Sequence, residues 1–229
     1  MSDDSLAAIA AFLDVVSLGR FGRVSTATAR VAALEPLWRR HCRAATAQQS
    51  PAYVRSLEAA RRSRATWRGW RALWPRIPHV RTDVAYVLKE SYMRKGVVDM
   101  FSGSPGLIEV VSHRCLRFYA GGRLQFTNTP GHVAARTVAL LYPSSRKEGV
   151  YHGSWRIDGA AVALRVHQPN ALVKYELRLE PRWEGDGCCS RLRVRRFGFL
   201  ESTADDSGIM PLEGLAGDAF DAHPLVRVV

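Results

Sequence analysis

Residues 171–179, ALVKYELRL, decide the fold class of the C-terminal two thirds of this chain. Tyr175, Leu177 and Leu179 fall on one face and Lys174, Glu176 and Arg178 on the other, because successive side chains of a strand leave opposite sides. The neighbouring segments repeat this pattern between turn signals. Upstream, Gly149 to Ile157 and Ala161 to Val166 are joined by Asp158-Gly159, which reads as a two-residue type I′ turn. Earlier still, Val84, Tyr86 and Leu88 alternate with Ala85 and Val87. Ile108 to Val111 and Cys115 to Tyr119 read as separate strands, and Gly121-Gly122 turns the chain into Leu124 to Thr127. Thr137 to Tyr142 reads as a further strand. Downstream lie Arg191 to Leu200, a long loop over Glu201 to His223, and a last strand at Leu225 to Val229. About eight or nine short strands with no helix between them predict an antiparallel meander closed into a barrel or sandwich, since closure removes exposed edges.

The N-terminal part has a different period. In Leu6 to Cys42, LAAIAAFLDVVSLGRFGRVSTATARVAALEPLWRRHC, apolar residues recur at helical spacing. Leu6, Ile9, Phe12, Leu13 and Val16 form one set, and Val24, Ala27, Val31 and Leu34 a second. Glu35-Pro36 is expected to interrupt the pattern, with Leu37-Trp38 opening a short basic turn, so the segment predicts three short helices. Helices this short share little mutual surface and complete their burial on another surface. Ala44 to Gln49 then reads as a short linker, and Ser50-Pro51 as an N-cap with proline in the first turn. Val54, Leu57 and Ala60 continue at helical spacing into Trp67, Trp70 and Trp74, until Pro75 and Pro78 end the run. The tryptophan stripe is read as packing.

The chain has 229 residues, a net charge of +12 and 47% hydrophobic residues, a globular composition large enough for a substantial core. No apolar run approaches the roughly 18 residues of a membrane span. The acidic start Met1-Ser2-Asp3-Asp4 resembles neither a signal nor a transit peptide. Cys42, Cys115, Cys188 and Cys189 form no disulfide framework, which points to a reduced intracellular setting, cytoplasmic or nuclear. The basic residues are mostly arginines scattered along the chain. Their one concentration, residues 55–76 with seven arginines against one glutamate, is the only candidate for nucleic acid, through Arg61, Arg62 and Arg64. The scatter argues against that reading.

FLDVVSLGRFGRVS followed by LEPLWRRHC resembles the F-box, the adaptor-binding module of SCF ubiquitin ligases, with landmarks on Phe12-Leu13-Asp14, Leu18, Val24-Ser25 and Leu37-Trp38. The usual opening Leu-Pro is missing, and Thr28 stands where a tryptophan is common. A second resemblance lies further along the chain. TWRGWRALWPRIPHVRTDVAYVLKESYMRKG (Thr66 to Gly96) is similar to the entry segment of F-box only protein nine and its fungal relatives, through Trp67-Arg68, Pro75-Arg76-Ile77, Arg81-Thr82-Asp83, Tyr86-Val87 and Tyr92-Met93-Arg94. Ile108 to Val111, Leu116 to Leu124, Asn128-Thr129-Pro130, Gly153 to Ile157 and Pro224 to Val228 extend that likeness. Val84-Ala85 replaces the family's Gly-Val.

The resemblance implies an α+β protein: a three-helix F-box at 1–45, an Arg- and Trp-rich helical linker at 46–79, and a lipocalin-like antiparallel barrel of about eight strands at 80–229 that recognises substrate. It also implies a non-catalytic substrate receptor that docks on the Skp adaptor, and through it on cullin and RING subunits, to direct an unknown protein to ubiquitination and proteasomal degradation. The adaptor-binding residues would be Ile9, Phe12, Leu13, Leu18, Val24, Leu34, Leu37 and Trp38. An F-box protein working with the adaptor outside a ligase is an alternative. A barrel enclosing a small hydrophobic ligand is another, to be decided by whether large residues such as Phe118, Trp155 and Tyr175 point inward.

The residues themselves assemble no chemistry. His113-x-Cys115 lacks the second half of a zinc site, and His41-Cys42 reads as packing. His79, His132, His152, His167 and His223 are scattered and form no triad. Glu176 and Glu180 share a strand face with Lys174 and Arg178 and read as solvated partners of those cations. No catalytic residue, metal or cofactor is therefore expected.

Overall fold

Short polar side chains set the first three helix starts. Ser2 Oγ accepts from the Ser5 N–H, and Asp14 Oδ1 accepts from the Ser17 N–H at 2.7 Å. Ser25 and Thr28 form a reciprocal capping box: Thr28 N–H donates to Ser25 Oγ at 3.2 Å, and Ser25 N–H to Thr28 Oγ1 at 2.9 Å. These caps start α1 (Asp3–Ala10), α2 (Val15–Phe21) and α3 (Thr26–Ala32). The expected interruption at Glu35-Pro36 is instead the start of α4 (Glu35–Thr46). Proline has no N–H to lose in a first turn, so it opens the helix there. Leu6 to Cys42 therefore carries four helices where the spacing predicts three.

The computed structural model describes residues 2–63, 69–98, 105–131, 138–180, 190–201, 210–211 and 217–224. The chain divides into two compact units, 1–79 and 80–229.

In the first unit Leu6, Ala10, Leu18, Val31, Ala32, Leu37 and Trp38 form a core, with Leu13, Phe21, Trp70 and Trp74 packed against it. Trp38 Nε1 donates to the Ala32 carbonyl at 2.7 Å, satisfying its one polar atom inside that core. The Ser50 N-cap is present, its Oγ accepting from the Tyr53 N–H at 3.2 Å, and α5 spans Pro51–Ser63. The tryptophan stripe does not prolong α5 as one helix. Gly69 has φ +88°, a left-handed backbone that breaks helical geometry, and a separate short α6 (Trp70–Leu73) and a 3₁₀ turn (Trp74–Arg76) succeed it. A Cβ there would also press on the Glu35 carboxylate. Glu35 Oε2 accepts the Trp70 N–H at 2.7 Å. Trp70 and Trp74 are packing residues, and Trp74 lies against the His41 and His79 rings at 5.9 and 4.3 Å. Trp67 lies outside the described residues.

The second unit is an antiparallel meander, β1 (Val84–Val98), β2 (Pro105–Tyr119), β3 (Arg123–Pro130), β4 (Val150–Asp158), β5 (Ala161–Gln168), β6 (Ala171–Glu180) and β7 (Arg191–Glu201). A two-residue β8 (Met210–Pro211) adds to β7, and β9 (Ala219–Pro224) pairs with both β7 and β1. That last pairing closes an eight-stranded barrel. Its closing strand thus lies inside the stretch expected to be a loop, and the strand expected at Leu225 to Val229 falls outside the described residues.

Three further expectations change in detail. Ile108 to Val111 and Cys115 to Tyr119 belong to one continuous strand, because His113 and Arg114 remain in register with Lys89 and Leu88. Residues 138–140 form a helical turn, not a strand. The β4–β5 loop is Gly159-Ala160, one residue later than expected, since Asp158 still pairs with Ala161. Only Gly159 has a positive φ, +56°, which is the pattern of a type II′ turn rather than type I′.

The alternation along β6 is as read, with Tyr175, Leu177 and Leu179 buried and Glu176 and Arg178 exposed. Tyr86, Phe118, Phe126, Trp155, Tyr175 and Phe220 meet inside the barrel with Ile157 of β4 and with leucines and valines of the other long strands. Edge-to-face contacts run from Tyr86 to Phe118 and from Phe118 to Trp155, each at 5.4 Å. Outside, the segment after residue 138 straps the wall: Val138 and Leu141 cover Ala85, Val87, Cys115 and Val150. Gln125 Nε2 donates to the Tyr142 carbonyl at 2.8 Å, and Arg117 Nη1 donates to the Leu141 carbonyl.

Candidate docking surfaces of the helical unit and the barrel

The eight candidate adaptor residues separate into two groups. Leu18, Leu37 and Trp38 are buried in the core of the first unit, and Leu13 packs against it, so these four hold the helices in place. Ile9, Phe12, Val24 and Leu34 stand in solvent, with Phe12 91% and Val24 74% exposed. Each of the four sits at a helix end or junction: Ile9 and Phe12 at the end of α1, Val24 between α2 and α3, Leu34 before α4. Arg40 of α4 ties that frame together, its guanidinium donating to the Ala11 carbonyl and, at 3.3 Å, to the Leu13 carbonyl. Phe12 and Val24, the most exposed of the four, belong to none of the core clusters of the described residues and are suited to burial against a partner. Thr28, the departure from the usual tryptophan, is buried and spends its hydroxyl on the capping box with Ser25.

In the barrel, Phe118, Trp155 and Tyr175 all point inward and are buried. An eight-stranded barrel has an interior that side chains can fill, and here the aromatic residues occupy it. Trp155 Nε1 donates to the Tyr119 and Arg123 carbonyls at 3.2 and 3.0 Å, where the β2–β3 turn folds over that end. The Arg81-Thr82-Asp83 step acts as a clamp on the barrel entry: Arg81 pairs with Asp83 through two hydrogen bonds, at 3.1 and 2.5 Å, and its N–H donates to the inward Tyr86 hydroxyl.

One polar cluster is absent from the expectations drawn from sequence. Glu90 and Arg114 continue the inward alternation of Tyr86-Leu88 and Leu116-Phe118, and they pair at 2.9 Å. Arg114 Nη1 also donates to the Tyr175 hydroxyl at 3.1 Å, and its guanidinium lies 5.2 Å from the Phe197 ring. Burial pushes the Tyr175 hydroxyl above its ordinary pKa, with Arg114 acting in the opposite direction. Extending the even-numbered positions of β1 past Leu88 would have found Glu90.

No group of three His, Cys, Asp or Glu side chains that could hold a metal occurs among the described residues. His113 and Cys115 lie on the outer wall of β2, and both are buried. Burial pushes the Cys115 thiol up to about 12 and the Cys42 thiol up to about 11, so both are protonated at neutral pH. Cys188 and Cys189 lie outside the described residues, as do His132 and the side chains of Arg61, Arg62, Arg64 and His223. No described helix is long and apolar enough to cross a membrane.

Residues 60–217 match the family model of the F-box only protein C-terminal region, a span that takes in the end of α5, α6 and the barrel strands β1 to β8. No solved structure matches the chain.

Proposed function

Because this chain belongs to the F-box only protein C-terminal region family, we propose that it is the substrate-receptor subunit of an SCF-type ubiquitin ligase. In this reading the helices before residue 46 dock on the Skp adaptor, and the barrel of residues 80–229 presents a target protein. The receptor performs no bond chemistry. It raises the effective concentration of a substrate lysine near the charged ubiquitin-conjugating enzyme, which the adaptor, cullin and RING subunits bring.

The observation that carries the adaptor half is the exposure of Phe12, together with Ile9, Val24 and Leu34, in a segment that resembles the F-box. Large apolar side chains in water gain most when a partner covers them, and such anchors contribute about 2 kcal/mol or more each at an interface. Phe12 and Val24 are also the right residues to test, because their replacement leaves the helical core untouched. Replacing Trp38 would open a cavity and unfold the unit whatever its role.

The experiment is co-expression of the full chain with the Skp adaptor, followed by size-exclusion chromatography. The native chain co-elutes with the adaptor, and Phe12→Asp/Val24→Asp elutes alone with an unchanged circular dichroism spectrum. A folded double variant that still co-elutes, or a native chain that never does, refutes the adaptor half. Adaptor binding without recruitment of a cullin would place the protein with the adaptor outside a ligase.

A further inference from the structure

The outer wall of β4 to β7 is more basic than packing requires. Alternation places Arg156 on β4, Arg165 on β5, Lys174 and Arg178 on β6, and Arg195 and Arg196 on β7 outside the barrel. The carboxylates on the same wall, Asp158 on β4 and Glu176 and Glu180 on β6, are fewer. Glu180 holds Arg193 at 2.7 Å and Arg195 at 3.6 Å, and Glu176 lies 3.8 Å from Arg196. Arg156 and Arg178 have no carboxylate partner among the described residues.

Two features of the backbone serve this arrangement. The register of β6 and β7 slips at Glu176/Leu177, where Glu176 pairs with Arg196 but Leu177 with Val194. In a regular strand one of two consecutive residues faces the core. The bulge at Arg195 lets Arg195 and Arg196 both reach solvent while Val194 and Phe197 stay inward. The second feature is a hollow. Ala163 lies between Arg156 and Glu176 across the strands, and its small side chain leaves a groove of about 430 Å³ bordered by Ser154, Arg156, Arg165, Lys174 and Glu176.

We propose that this groove and its arginine rim on β4–β7 bind an acidic peptide segment of the protein that the receptor presents. The inference rests on the receptor reading for the identity of the bound chain, and on the groove alone for its chemistry. Four strands spaced about 4.8 Å apart span about 15 Å, the reach of roughly five extended residues, so a short run of Asp and Glu can meet cations on every strand. Complementary charge of this kind sets encounter rate and selectivity. Single-stranded nucleic acid is the poorer fit: the described aromatic residues of these strands, Tyr151, Trp155, Tyr175, Phe197 and Phe199, belong to the inward rows, leaving no stacking platform on the outer wall.

The test is fluorescence anisotropy of the full chain with a labelled Glu/Asp-rich peptide, its Gln/Asn counterpart and a single-stranded RNA of equal length. The acidic peptide binds, weakens with added salt and outcompetes both controls. Arg156→Gln/Arg178→Gln/Arg196→Gln weakens it by about tenfold. Ala163→Tyr, which fills the hollow without changing charge, weakens it by about threefold or more. Arg20→Gln/Arg43→Gln/Arg55→Gln removes the same charge from exposed positions of the helical unit and stays within about twofold.

Native affinity in either groove variant overturns the inference. So does equal weakening by the control variant, which marks diffuse attraction, or preference for the RNA. Circular dichroism shows that each variant is folded. Adaptor co-elution is scored on the same proteins: retained peptide binding with failed co-elution breaks the ligase reading alone, whereas the reverse breaks only the groove.

Discussion

The two units differ in how they enclose their apolar side chains. The barrel turns its largest ones inward, and Tyr86, Phe118, Phe126, Tyr175 and Phe220 are almost completely enclosed. The helical unit buries Leu18 and Trp38 but leaves Phe12 and Val24 in water. Geometry explains the difference. A closed meander surrounds an interior, so every second residue of a long strand has a place to go. Four helices of seven to twelve residues have no such interior and bury only the stripe where they touch. The barrel interior is filled, although the outer part of the β1–β2 hairpin leaves Tyr92, Met93, Leu107 and Ile108 exposed, and the helical unit leaves Phe12 and Val24 in water.

The sharpest way to break this comparison is to hollow the barrel. Phe118→Ala removes a ring that is fully buried between Tyr86 and Trp155, and it is expected to cost about 4 kcal/mol, read as a lower urea midpoint for the barrel transition. An unchanged midpoint would mean that the interior tolerates a void and is looser than its contacts imply. The exposed pair tested above, Phe12→Asp/Val24→Asp, should leave stability within about 0.5 kcal/mol.

The two cores also separate by pH. The Cys115 thiol in the barrel wall is raised from 9.0 to about 12 and the Cys42 thiol in the helical core from 9.0 to about 11, both by burial. A raised thiol pKa means that the unfolded chain releases its proton first. Stability is therefore intact below pH 9 and declines as pH rises from 9 toward 11 for the helical unit and toward 12 for the barrel. Native-state alkylation at about pH 8, below the ordinary thiol pKa, with peptide mapping checks the same point. Both thiols should react far more slowly than in urea, and fast native labelling of Cys115 would contradict its burial.

A further substitution tests how marginal the helices are. Ser25→Ala removes one half of the capping box on α3 and should cost about 1 kcal/mol, visible as a lower thermal midpoint of the helical unit. Adaptor binding should restore the midpoint, since a partner that binds only the folded form stabilises it by mass action.

Structure was most legible in the residues where a physical period left little choice. The alternation of Lys174 to Leu179 and the Ser50-Pro51 helix start both appear as written, whereas the inward placement of Trp155 and Phe118, which the sequence left open, was decided by the barrel. It was least legible where a local signal had two meanings. Pro36 either stops a helix or starts one, and only the packing of Leu37, Trp38 and Cys42 selects the start. The tryptophan spacing continues across Gly69, yet the backbone turns left-handed there to seat Trp70 on Glu35. Ala219 to Pro224 lacks a marked alternation, and its pairing with both β1 and β7 makes it a strand.

The sequence by itself determined the helix-then-strand division, the period of the long strands, and the positions of Phe12 and Val24 in a motif resembling the F-box. These are local properties, set by dihedral preference and by the spacing of apolar residues. Only the tertiary structure decided which member of that motif is buried and which is exposed, and only the pairing and register of the strands joined Arg156, Arg178 and Arg196 outside, while the curled barrel brought Tyr175 to the Glu90–Arg114 pair inside. Such neighbours come from different strands, and their proximity depends on register and closure, which no single segment encodes.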